Sequence, residues 1–178
     1  MVKTFILWLM VMVVTLSSIN CAREESSPDE SATTRPDPSL IDRRSYVLGG
    51  IGAFAEMVGA GVKKLALSAP MTPEEMDGLI QDAQRIAEEN GVEITCEEDF
   101  LVTDLFPAEI TEGKHVLLIA KGSTKQAYYD LKAEKRRLVE SGAYAGAARE
   151  AIARRMGRLL SYSEERIDAL LAKARSKE

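Results

Sequence analysis

The residues from Thr72 to Gly91 constrain this chain more than any other stretch, because both a helix start and a helix stop are written into them. Thr72 can cap free backbone N–H groups, Pro73 suits the first helical position, and Glu75 completes a capping box. Met76, Leu79, Ile80, Ala83, Ile86 and Ala87 then recur at three- and four-residue spacing, one apolar face, until Asn90-Gly91 supplies the stop. Strand-like runs flank the helix. Val62 to Ser68 precedes it; after it, Val92, Ile94 and Cys96 alternate with Glu93, Thr95 and Glu97. That order predicts a βαβ unit with parallel strands.

Two further strands are expected. Phe100 to Thr103 follows a tight reversal at Glu97-Glu98-Asp99, and Pro107 ends it; His115 to Ala120 is the most apolar run and should be central. Two successive hairpins would return this fourth strand to the direction of the first two. Tyr46 to Val58 is apolar on nearly every side and reads as an interior helix, ended by Gly59-Ala60-Gly61. The C-terminal third reads as helices. Ser123 or Thr124 caps one that stops at Ser141-Gly142, Ala147 to Leu160 marks a second, and a capping box of Ser161 and Glu164 starts the last. The fold class is therefore α/β, bordering on α+β. It comprises a small mixed sheet of about four strands with a βαβ unit, packed by helices, in a single domain over 42–178.

Ahead of that domain, Met1 to Asn20 carries one positive charge at Lys3, an apolar run from Phe5 to Leu16, and then small and polar residues. The run falls short of the roughly 20 apolar residues that span a bilayer and has the order of a secretory signal peptide. Ser18-Ile19-Asn20-Cys21 resembles the lipobox of bacterial lipoproteins, although Asn20 stands where Gly or Ala is usual. The resemblance implies export, acylation of Cys21, and anchoring to a membrane of the cell envelope; the alternative is a retained N-terminal anchor helix. Residues 21–41, with Glu24, Glu25, Ser26, Ser27, Pro28, Pro36 and Pro38, cannot bury apolar surface and read as a disordered tether. Beyond Cys21 the only cysteine is Cys96, so an internal disulfide within the domain is excluded.

The net charge of −5 gives no reason to expect nucleic acid as a partner, but it hides an asymmetry. Thr72 to Glu112 carries thirteen acids against one base, net −12, and Gly113 to Glu178 carries fifteen bases against eight acids, net +7. Either the two regions attract each other across the fold, or the acidic one is a face for a protein partner. The basic run Lys132, Lys135, Arg136 and Arg137 reads as a solvated face, or one that meets anionic lipid.

The catalytic inventory is thin. His115 is the only histidine and begins a buried strand, so no metal site and no cofactor are expected and a Ser–His–Asp triad has no place to form. Gly50-x-Gly52-x-x-Ala55 matches a dinucleotide fingerprint, but no strand precedes it and no acid follows the next strand. Its glycines read instead as sites of close helix packing. Cys96 reads as a buried, inert thiol.

One constellation has a geometric argument. If the first and last strands are parallel, Ser68 and Lys121 leave the same edge of the sheet, each leading into a helix N-terminus. Lys121, Ser123 and Thr124 with Ser68 could then hold an anionic small ligand. The expected function is an exported, membrane-tethered module that binds a ligand or partner. The alternative is a small hydrolase or transferase using Glu98, Asp104 and Lys121.

Overall fold

The computed structural model describes residues 42–176; the segments expected to be a signal peptide and a tether, with Cys21, lie outside the described residues. The elements run α1 (Arg43–Gly59), β1 (Leu65–Leu67), α2 (Pro73–Asn90), β2 (Glu93–Glu97), β3 (Val116–Ala120), α3 (Thr124–Glu140), α4 (Gly146–Leu159) and α5 (Glu164–Arg175), with a short 3-10 turn at Ala108–Ile110 before β3. Among the described residues no helix is long and apolar enough to cross a membrane. The class is mixed α/β.

Helix α2 forms as its sequence dictates. Thr72 Oγ1 accepts from Glu75 N at 3.2 Å, Glu75 Oε2 accepts from Thr72 N at 3.0 Å, and Gly91 closes the helix in the left-handed region at φ 61°. A cap of this kind contributes about 1 kcal/mol. Met76, Leu79, Ala83 and Ala87 are its buried face.

The sheet departs from expectation in number and direction. It has three strands in the order β1-β3-β2, and both pairings are antiparallel: Leu65 faces Ala120 and Leu67 faces Leu118 on one side, Glu93 faces Ala120 and Glu97 faces Val116 on the other. Strands β1 and β2 do run in one direction, joined by α2, but β3 lies between them, so among the described residues the two are not hydrogen-bonded to each other. The absent fourth strand explains why. Residues 100–103 do not join the sheet, so the chain reverses once rather than twice between β2 and β3.

Those residues find their hydrogen bonds elsewhere. Leu101 N donates to Tyr128 Oη at 2.9 Å, Lys135 Nζ donates to Val102 O at 2.7 Å, and Lys132 Nζ donates to Asp99 O. Buried backbone groups must be paired, and here α3 side chains supply partners that a neighbouring strand would otherwise have supplied. The segment can therefore bury Phe100, Leu101, Thr103 and Leu105 without being a strand.

Helices cover both faces of the sheet. On one, Ala66, Leu117 and Ile119 pack with Val47, Ile51, Met76 and Leu79 of α1 and α2. On the other, Leu65, Val116, Leu118 and Ala120 pack with Tyr128, Leu131, Ile152, Met156 and Ile167 of α3, α4 and α5. Every residue of β3 is buried, as its apolar run predicts. Helix α1 is not an interior helix: it buries Val47, Ile51, Ala55 and Val58 and leaves Tyr46 and Met57 exposed. Nor do Gly50 and Gly52 permit close packing, since a Cβ on either would meet nothing within 4 Å. Gly59 has that role, because a Cβ there would come 2.5 Å from Asn90 O. At α5 the cap is Ser163, whose Oγ accepts from Arg166 N at 3.2 Å, rather than Ser161. Ser161 sits at φ 61° and accepts from Lys64 N instead.

Candidate functional site

Antiparallel pairing of β1 and β3 parts the residues that a parallel sheet would have gathered. Ser68 lies beside Leu117, with Ser68 N donating to Leu117 O at 3.0 Å and Ser68 Oγ accepting from Leu117 N at 2.9 Å. Lys121 follows Ala120 at the opposite end of β3, beyond Leu65, and its Nζ donates to Gly59 O at 3.1 Å. Ser123 occupies the N-cap position of α3 but its side chain makes no capping bond, and Thr124 begins the helix. Lys121, Ser123 and Thr124 thus share one end of the sheet, and Ser68, buried, is at the other. The acids of the alternative enzyme reading are likewise dispersed. Glu98 lies beyond the Glu97–Val116 end of the sheet, Lys121 beyond the Glu93–Ala120 end, and Asp104 is paired with Arg149 of α4 at 2.7 Å.

Two clefts instead flank residues 100–111. Helix α3 grips this segment through Tyr128, Lys132 and Lys135, which share one helical face at i, i+4 and i+7. Lys132 Nζ lies 2.9 Å from Glu97 Oε1 and 3.0 Å from Asp99 Oδ2. Burial works against the Lys132 ammonium, but its hydrogen bonds to Glu97 and Asp99 outweigh that and hold its pKa above the usual lysine value. These lysines are therefore not a solvated face; Arg136 and Arg137 of the same run are exposed. The acidic middle and the basic C-terminal region attract across the fold, as Lys125–Glu93, Lys132–Glu97 and Arg149–Asp104 show.

On one side of the segment is a mainly apolar cleft of about 420 Å³ against β1, lined by Phe54, Leu67, Phe100, Phe106, Leu160 and Tyr162 with Ser68 and Lys63. Lys63 Nζ donates to Leu160 O at 2.7 Å and lies 5.6 Å from the Tyr162 ring centroid, and burial lowers its pKa. On the other side is a larger cleft of about 630 Å³ between the segment and the C-terminal helices. Its charged lining is Lys135, Arg149 and Lys173 with Asp104 and Glu109, three cations to two acids, and Tyr144 forms an aromatic wall. Arg149 Nε and Nη2 both reach Asp104 Oδ1, at 2.8 and 2.7 Å. Lys135 lies 5.2 Å over the Tyr144 ring. Burial lowers the Lys135 pKa and raises that of the Tyr144 phenol.

This cleft can hold an anion chemically. Lys135 is half-buried and fixed by Val102 O and Tyr144, so its cation is presented without further ordering. Burial disfavours the charged form of Lys135, and an anion bound beside it would favour that form. The sequence carried a signal for this. Tyr128, Leu131 and Lys135 fall on one helical face, so the lysine shares the inward side with two core residues, a signal that the surrounding basic run masks.

The remaining chemistry is weaker. Cys96 Sγ lies 3.8 Å from His115 Nδ1, a thiol–imidazole contact, yet burial first and then the carboxylates of Glu98, Glu97 and Asp77 raise the thiol pKa. A thiol held protonated is a poor nucleophile. Among the described residues no group of three or more His, Cys, Asp or Glu is placed to hold a metal ion. No protein-family model, no curated protein and no solved structure matches the chain.

Proposed function

We propose that the chain is an exported, membrane-tethered binding module, and that its folded domain holds a small anionic ligand, a phosphate or a carboxylate, in the cleft of Lys135, Arg149 and Lys173. The observation that carries this reading is the pre-positioned Lys135 cation in the wall of the larger of the two clefts beside residues 100–111, which Lys173 of α5 also lines. A charge-assisted contact to an anion is about twice as strong as a neutral one, and here it needs little side-chain ordering.

The test is a thermal shift of the full chain in phosphate, sulfate and a dicarboxylate at constant ionic strength. An anion at a hundred times its Kd should stabilise the fold by about 2.7 kcal/mol. The effect should shrink in Lys135→Met and Lys173→Gln and persist in Lys121→Ala, whose ammonium belongs to the Gly59 carbonyl. Equal shifts in all three variants, or none in the wild type, would refute the site.

The tether completes the proposal. With Cys21 acylated, residues 22–41 would carry the domain at a membrane surface of the cell envelope. Labelled fatty acid should enter the wild type and be absent from Cys21→Ser. Equal incorporation in both would count against the anchor.

A further inference from the structure

The sheet ends on one side in β2, and the parity of its hydrogen bonds shows which backbone groups are left over. Ser68 and Leu117 bond across β1 and β3, so Leu117, and Ile119 two residues on, turn their backbone toward β1. Val116, Leu118 and Ala120 then turn theirs toward β2, to Glu97, Thr95 and Glu93. Ile94 and Cys96 must therefore point their N–H and C=O groups outward. Among the described residues no turn, loop or side-chain hydrogen bond reaches those four groups.

Side chains along this edge alternate in character. Ile94 and Cys96 lie half-buried on the face covered by α1 and α2. Glu93, Thr95 and Glu97 lie on the other face, and the chain continues into exposed Glu98 and Asp99. Lys125 pairs with Glu93, and Lys132 with both Glu97 and Asp99, two cations against four acids, so the edge keeps a net negative charge. Glu97 is 5% exposed, and its Oε2 has no hydrogen-bond partner.

A second copy of this chain fits the edge poorly in the register centred on Thr95, which uses all four outward groups of Ile94 and Cys96. Antiparallel pairing about Thr95 would set Glu93 of one copy against Glu97 of the other, and like charges directly opposed are destabilising. We infer that β2 takes an added strand from a protein partner, an extended segment in which apolar residues alternate with Lys or Arg. Its main chain bonds Ile94 and Cys96, its apolar side chains lie beside theirs, and its cations lie on the Glu93 face, with exposed Glu98 and Asp99 beyond the end of the strand. Main-chain bonds carry the affinity in such additions and the alternating side chains carry the specificity.

The probe is a fluorescent seven-residue peptide alternating Val and Lys, added to the full chain. It should bind, protect the Ile94 and Cys96 amides from hydrogen exchange, and bind more weakly in 1 M salt. Cys96→Pro, which deletes an outward N–H and leaves the β3 ladder intact, should weaken binding about tenfold. N-methylating alternate residues of the peptide gives a test that leaves the protein unaltered: one alternate set should abolish binding and the other should not. Equal effects of the two sets, equal binding of a Val–Glu peptide, or protection of the Ile94 and Cys96 amides by self-association alone would overturn the inference.

Discussion

Lys132→Met is expected to lower the unfolding free energy by about 3–5 kcal/mol, because it leaves a buried carboxylate with no counter-charge. The Glu97 carboxylate is almost wholly enclosed. Its Oε1 accepts from Lys132 Nζ at 2.9 Å and from Asp99 N at 3.1 Å, and its Oε2 has no partner. Removing the ammonium removes the only cation within salt-bridge reach among the described residues, and one of the groups that holds residues 99–103. Replacing both members should be far milder, so Glu97→Gln in the Lys132→Met background should recover most of the loss. Urea unfolding of the four proteins of this cycle measures the coupling. If Lys132→Met unfolds at the wild-type midpoint, Glu97 is solvated in solution and α3 does not strap the segment. The variant also bears on function. Val102 and Asp104 line the charged cleft, and loosening the segment beside them should weaken anion binding without touching Lys135.

Stability should also fall steeply above about pH 10, and Tyr128 should be the main reason. Its side chain is fully buried and its hydroxyl oxygen accepts from Leu101 N. Burial raises the phenol pKa well above its usual value, with the Leu101 bond opposing in part. For an acid whose folded pKa is raised, the folded chain keeps a proton that the unfolded chain loses above about pH 10. The associated stability is full below that pH and declines by about 1.4 kcal/mol per pH unit above it. Lys132 acts in the same direction: its raised pKa stabilises the fold below its unfolded value, and that contribution is lost as pH rises through the folded one. Lys63 and Lys135, lowered by burial, oppose this, since the fold favours their neutral forms. Tyr128→Phe should flatten the alkaline slope by one proton and cost about 1–3 kcal/mol at pH 7, because Leu101 N–H is left unpaired. Unfolding measured from pH 7 to 11 distinguishes the two effects. An identical slope in the variant and the wild type would show that Tyr128 titrates as though exposed.

Local patterns in the chain determined the elements whose causes lie within a few residues. The cap at Thr72, the stop at Gly91, the alternation through Cys96 and the apolar run of β3 each depend on neighbours in sequence, and each appears where its residues place it. Charge asymmetry along the chain also foretold that acids and bases would pair across the fold. The tertiary structure alone decided where Phe100 to Thr103 finds its hydrogen bonds. An extended segment has the same local signature whether its partner is a strand or the side chains of a distant helix, and Tyr128, Lys132 and Lys135 lie some thirty residues away. That choice removed a hairpin, reversed β3 and so separated Ser68 from Lys121. It also turned Lys132 and Lys135 of a basic run inward, and Lys135 into the wall of the charged cleft. Strand order had the same origin: insertion of β3 between β1 and β2 left β2 at the edge, because strand pairing joins segments distant in the chain and their local patterns do not name the partner.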